Sequence, residues 1–320
     1  MKGPGPLTPA ARSVIAGDRR ALGRLISAVE NRDPAVVPTL RCLYPRTGRA
    51  RVIGLAGPLG VGKSSLINSL LALLREKGHR VGIIAVDPSS PFTGGSVLGD
   101  RIRIDRRPGD EGVFFRSMAS RGHAGGLAAA TQEVARLLDA FGMDIVLVET
   151  VGSGQIDVEV REVATTAVVV LVPHLGDEVQ TLKAGLFEIA DVFCVNKGDL
   201  PGAELAAKDL REFVSMGAPA GGWRPVVVTT STRDATGIVP LWEAVEAHES
   251  FLDTSGARAA AERRRISKEI ESLVLERVGQ SVEEALATDP ELAALLDRVV
   301  RREIDPHSAA DALERARARR

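Results

Sequence analysis

The sequence predicts an α/β fold: a doubly wound, mostly parallel sheet, preceded by a helical extension and followed by a helical arm. Three observations predict it. Short β-branched runs alternate with helix-length amphipathic segments between residues 51 and 231. Those runs are apolar throughout, as in strands covered on both faces. Outside that span the apolar residues recur only at helical spacing. The implied organisation is an N-terminal helical extension over 1–48, a central domain over 49–252 and a C-terminal helical arm over 253–320.

In chain order, Val14, Leu22, Leu25, Ile26 and Val29 lie at helical spacing before Pro34 and Pro38 interrupt, which predicts two helices ahead of the main domain. The strands then read "RVIGLA" at 51–56, "RVGIIAVD" at 80–87, "DIVLVET" at 144–150, "TTAVVVLVP" at 165–173, "DVFCVNK" at 191–197 and "PVVVTTS" at 225–231. Helical segments over 64–78, 125–141 and 178–190 separate them. After "DTSGAR" the chain turns rich in Ala, Glu and Arg. There Ile266, Ile270, Leu273, Val274 and Val278 form one apolar face, and Leu292, Leu295, Leu296 and Val299 another. Periodicity alone fits an arm packed on the sheet domain as well as a homodimer contact.

Composition excludes several classes. With 320 residues and 44% apolar content the chain can bury a sizeable core. Acidic and basic residues number 42 and 41, a formal net charge of -1, so no global field draws it to nucleic acid or an anionic membrane. Cys42 and Cys194 lack metal-knot or disulfide spacing, the longest apolar run is far too short to span a bilayer, and no secretory leader is evident, so a cytoplasmic location is expected.

The chemistry concentrates in a few loops. "GPLGVGKSS" at 57–65 fits the phosphate-binding loop GxxxxGK[ST], after a strand and opening a helix. Gly57, Gly60 and Gly62 let the backbone curl so that its N–H groups face phosphate oxygens, and Pro58 and Val61 belong to the same binding loop. Lys63 is placed to reach the β and γ phosphates, and the hydroxyl of Ser64, beside Ser65, to enter the shell of a Mg2+ ion. At "NKGD", Asn196, Lys197 and Asp199 end a strand, and a carboxylate there accepts from both N1–H and the N2 amino group of guanine. Adenine offers neither donor, so the pair of motifs points to GTP and GDP. Backbone amides near Ser231 and Thr232 are placed for the guanine O6.

Two further loops leave strand ends beside the phosphate loop, "DPSSPFTGGSVLGD" at 87–100 and "ETVGSGQID" at 149–157. Asp87 and Asp100 are candidates for Mg2+, directly or through water. Glu149 is a candidate for orienting Mg2+ or the attacking water, and Gly152 for an N–H contact to the γ phosphate. Ser153 follows Gly152 where many GTPases have glutamine; Gln155 stands two residues further on, so slow intrinsic turnover is expected, with Gln155 and Asp157 moving in when a partner is bound.

These motifs, with "AVDPSSPFTGGSVLGDRIRI" at 85–104, "FFRSMASRGHAGGLAAAT" at 114–131, "DIVLVETVGSGQ" at 144–155 and "GDEVQTLKAGLFEIADVFCVNKGD" at 176–199, closely resemble the MeaB/ArgK-type G-proteins, chaperones associated with methylmalonyl-CoA mutase. The resemblance covers most of the chain. It implies a homodimer formed through the C-terminal arm and a partner that is an adenosylcobalamin-dependent acyl-CoA mutase, whose cofactor loading and protection GTP hydrolysis gates. It also implies a third switch at 173–185, with Asp177, Glu178 and Lys183 transmitting the signal. Here "VGSGQID" stands for the usual VGVGQSE and "PHLGD" for PGAGD, which leaves open a mutase acting on isobutyryl-CoA, ethylmalonyl-CoA or a hydroxyacyl-CoA. Two rival readings are a nickel-type metal-insertion GTPase, disfavoured by the dispersed His79, His123, His174, His248 and His307, and a P-loop ATPase or kinase linked to amino-acid transport, disfavoured by "NKGD".

Overall fold

A computed structural model describes residues 6–87, 109–119, 126–150, 160–173, 188–216 and 222–318. Among them seven strands form one sheet: β1 (Arg51–Ala56), β2 (Val81–Asp87), β3 (Val113–Ala119), β4 (Ile145–Thr150), β5 (Thr166–Leu171), β6 (Val192–Val195) and β7 (Val226–Thr229). Their order is β3-β2-β4-β1-β5-β6-β7, and every neighbouring pair is parallel. Six of these strands coincide with the runs read from the sequence. The seventh, β3, went unread because Arg116 and Ser117 interrupt its apolar run, which an edge strand tolerates.

The helices are α1 (Pro9–Ile15), α2 (Arg19–Glu30), α3 (Val37–Leu43), α4 (Lys63–Glu76), α5 (Gly126–Ala140), α6 (Ala203–Met216), α7 (Ile238–Thr254), α8 (Ala257–Thr288), α9 (Pro290–Val300) and α10 (Pro306–Ala318). Three α-helices, rather than two, precede β1. Pro34 opens a short 3-10 turn and Pro38 sits in the first turn of α3, positions where a missing N–H breaks no helical bond, so both prolines start structure instead of ending it.

Successive residues of each strand point to opposite faces, and the two faces carry separate cores. Ile145 and Leu147 of β4 join Leu66, Ile67, Leu70 and Leu74 of α4 and Leu241, Trp242 and Val245 of α7. Val146 and Val148 join Leu22, Ile26 and Val29 of α2, Leu137 and Leu138 of α5, and Ala207 of α6. Each such Leu or Ile, fully buried, contributes about 2 kcal/mol relative to exposure. The N-terminal helices therefore complete one face of the sheet.

The chain divides into two compact units, Met1–Arg265 and Ile266–Arg320. Within the second, Asp289 caps α9 by accepting from the Glu291 amide at 2.9 Å, Pro290 fills its first position, and Leu292 is buried. Ile270, Val274, Leu275, Leu296 and Val300 are exposed. No helix among the described residues is long and apolar enough to cross a membrane.

At the N-terminal ends of β5 and β6, opposite the phosphate loop, lies a buried polar network. Glu249, fully buried on α7, accepts from the hydroxyls of Thr165 and Thr166, each at 2.6 Å, and from the Arg258 guanidinium at 2.8 Å. His248 lies 2.8 Å from Thr166 Oγ1 and 3.3 Å from Asp191, whose other oxygen pairs with Arg161. Burial would raise the Glu249 pKa, but the bonds from Thr165, Thr166 and Arg258 outweigh it and hold the group below the ordinary glutamate value. Burial lowers the His248 pKa against the pull of Asp191.

Both shifts make the unfolded chain bind more protons than the folded one. Stability is therefore complete above the ordinary histidine pKa, about 6.5, and falls as pH drops through the two depressed folded values. Glu249→Ala removes three hydrogen bonds to a buried carboxylate while Arg258 keeps its pair with Asp253, and is expected to cost about 2 kcal/mol at pH 7 and to flatten the lower end of this acid dependence, read by urea denaturation at several pH values. An unchanged midpoint would show that the network does not stabilise the fold.

Candidate functional site

The C-terminal ends of β1, β4 and β2 lie side by side, with Leu55 opposite Glu149 and Ala85 opposite Glu149 on the other side. The phosphate loop leaves β1 at this edge. Gly57 has φ +142, and a Cβ there would come within 2.2 Å of the Val170 carbonyl oxygen on β5, so only glycine lets the chain turn this close to the sheet. Gly62, at φ +92, is the N-cap of α4 and makes no side-chain cap bond. The first N–H groups of α4, at Lys63, Ser64 and Ser65, thus face the loop with the helix dipole behind them.

Lys63 is buried, and its ammonium donates to the carbonyls of Gly57 at 2.5 Å and Pro58 at 3.0 Å. It is thereby held inside the concave side of the loop, where phosphate oxygens would replace carbonyl oxygens as its acceptors. Ser64 Oγ donates to Glu149 Oε1 at 2.6 Å, joining the first turn of α4 to the end of β4. The sequence offered these residues separately as Mg2+ candidates, and the fold brings their oxygens together. A hydroxyl beside a carboxylate is the hard-oxygen donor set that Mg2+ takes with substrate phosphates.

The guanine motif has two jobs here. Asn196, almost wholly buried at the end of β6, donates to the Val61 carbonyl at 2.8 Å and accepts from Thr230 Oγ1 at 3.1 Å. Lys197 donates to the Gly60 carbonyl at 2.9 Å. Both side chains clamp the phosphate loop, and a Cβ at Gly62 would sit 2.6 Å from Asn196 Nδ2, so glycine is also what admits the clamp.

Asp199 stands two residues beyond Lys197. Its Oδ1 accepts from Ser231 Oγ at 3.1 Å, and Arg233 lies 3.8 Å from Oδ2. The Ser231 amide donates to the Thr236 carbonyl at 3.0 Å, and the Ser231 hydroxyl lies 3.1 Å from Asp199 Oδ1 and 3.0 Å from Asp234 Oδ2.

Asp100, Gly152, Gln155 and Asp157 lie outside the described residues, as do Asp177, Glu178 and Lys183 and the side chain of Asp87. The Asp87 backbone ends β2, next to β4. Sequence reasoning missed the clamp formed by Asn196 and Lys197; a lysine and an asparagine ahead of a single acid carry no mark of it, since their acceptors are carbonyls some 135 residues away.

The sequence model of the family described as "Methylmalonyl Co-A mutase-associated GTPase MeaB" matches residues 22–287. The chain belongs to the MeaB family. A Pyrococcus horikoshii protein whose name marks it only as a candidate GTPase is 43% identical over 309 residues, 96% of each chain. GTPase ArgK of Escherichia coli is 34% identical over 78% of each chain, and a mouse protein named methylmalonic aciduria type A homolog, mitochondrial, is 32% identical over 82% of this chain and 65% of its own length. A crystal structure described as an LAO/AO transport system kinase superposes with a TM-score of 0.71 at 25% identity, covering 96% of this chain and 95% of that one. As a MeaB-family GTPase with a P-loop fold, the protein binds GTP and GDP and hydrolyses GTP.

Proposed function

We propose that this MeaB-family GTPase is the G-protein chaperone of an adenosylcobalamin-dependent acyl-CoA mutase such as methylmalonyl-CoA mutase, gating cofactor loading and protecting the mutase from inactivation. The observation that carries the proposal is the family match over residues 22–287, whose description names that association. The mouse relative's name, which refers to methylmalonic aciduria, points the same way.

In this reading Lys63 and the N–H groups of residues 60–65 hold the β and γ phosphates, and Asp199, oriented by Ser231, selects guanine. Ser64 and Glu149, with Asp87 and Asp100, would hold a Mg2+ ion, which when bound neutralises charge on the transferred phosphoryl group. Glu149 orients the Mg2+ shell or the attacking water, and Gln155 and Asp157 move in when the mutase is bound. Basal turnover is slow because the chain places Ser153, not glutamine, after Gly152. The working form is a cytoplasmic homodimer. The arm at 253–320 provides its contact, which the exposed Ile270, Val274, Leu275 and Val300 support.

The test is the lifetime of the mutase during turnover. With the GTPase and GTP present, the half-life of mutase activity is expected to lengthen severalfold over that with GDP or with the Lys63→Ala variant. An equal half-life in all three conditions would contradict a protective role.

A further inference from the structure

We infer that two copies of this chain pair antiparallel along α8 about a two-fold axis at Val274, with Arg263 of each copy against Glu284 of the partner subunit. The inference rests on the homodimer proposed above and adds its orientation, its register and the residues that set them. It does not depend on which enzyme is the client.

α8 is one continuous helix from Ala257 to Thr288, about 48 Å long at the usual rise. Ile270, Val274 and Val278 follow one another a turn apart and are 57%, 51% and 37% exposed, so the middle of the helix presents an apolar ridge to water. Ser267 and Ser281, seven residues either side of Val274, continue that face and are small enough for a second helix to approach. The charges divide by end. Residues 262–268 carry four positive charges and one negative, whereas residues 283–291 carry four negative and none positive. The one acid at the basic end, Glu262, is paired with Arg265 at 2.6 Å. Arg263 and Arg264 are exposed with no carboxylate three or four residues away, and Glu283 and Glu284 are exposed with no cation at that spacing.

The ridge and the charges share one centre. Val274 is the midpoint of Ile270 and Val278, and the midpoint of Arg263 and Glu284 falls between Leu273 and Val274. A helix with an apolar middle between a basic and an acidic end is complementary to its own reverse, which is what an isologous two-fold contact requires. At 3.6 residues per turn Arg263 lies about 20° round the helix from Val274 and Glu284 about 80° toward the same flank. Arg263 stands eleven residues before Val274 and Glu284 ten after it, so the two come level when the helices run in opposite directions. Ile270 then comes level with Val278 of the partner subunit, and Glu271 with Arg277 of the partner subunit. In parallel register Arg263 and Arg264 would each meet their own copy, as would Glu283 and Glu284, and like charges set against one another oppose association.

The test is sedimentation and cysteine cross-linking of the full-length, GDP-loaded protein, whose own Cys42 and Cys194 are buried. Val274→Cys, at the axis, is expected to give a disulfide-linked dimer on mild oxidation. Arg263→Cys alone is not, because the two copies of that position lie about 33 Å apart on antiparallel helices. Arg263→Cys combined with Glu284→Cys is expected to link. Arg263→Glu and Glu284→Arg are each expected to weaken the dimer by about tenfold, and the two together to restore it, with the melting shift on GDP unchanged in all three. A dimer that links through Arg263→Cys alone, or whose affinity ignores both charge reversals, would overturn the pairing and leave the homodimer standing. A wild-type protein that sediments as a monomer at every concentration would overturn the homodimer and the pairing with it.

Discussion

Lys63→Ala is expected to lower GTP turnover by about two to three orders of magnitude, the usual effect of removing one preorganised donor aimed at developing charge. The ammonium sits within the loop, on the carbonyls of Gly57 and Pro58, and no other described lysine or arginine shares that position. Phosphoryl transfer needs little covalent help from the protein, so removing this charge removes much of what the site supplies. Single-turnover hydrolysis measures the effect directly, with circular dichroism confirming the fold. A turnover within a few-fold of wild type would mean that the phosphates are held elsewhere.

The second large effect is on base choice. Asp199→Asn removes the carboxylate that accepts two guanine donors, and losing hydrogen bonds to a charged group costs about 3 kcal/mol, roughly a hundredfold in GTP affinity. Ser231 Oγ can still hold the amide, so the variant should keep its shape and favour xanthine nucleotides, in which a C2 carbonyl oxygen, an acceptor, replaces the amino group of guanine. Competition between GTP and XTP in equilibrium binding reads the switch. Unchanged guanine preference would mean that Asp199 does not face the base.

How much of this was legible in the sequence depends on how local each feature is. The phosphate loop was legible because its glycines, lysine and serine act within a span of eight residues, and six strands were legible as unbroken apolar runs. β3 was hidden by Arg116, whose charge is answered by Glu30 of a helix distant in sequence. The third N-terminal helix was hidden by Pro38, which reads as a breaker unless its place in the first turn is known. The clamp of Asn196 and Lys197 on the loop, and the network of Asp191, His248 and Glu249, exist only once distant segments meet. The meeting of Ser64 and Glu149 was partly legible: each was a metal candidate by its place after a strand, but their 2.6 Å contact follows from β1 and β4 being neighbours.

The measurement that bears most directly on the account is the GTP hydrolysis rate of the purified protein, alone and with an adenosylcobalamin-dependent acyl-CoA mutase from the same organism. The account predicts a slow basal rate that rises severalfold with the mutase. A rate that is the same with and without it would contradict the chaperone role and leave a GTPase with a different client.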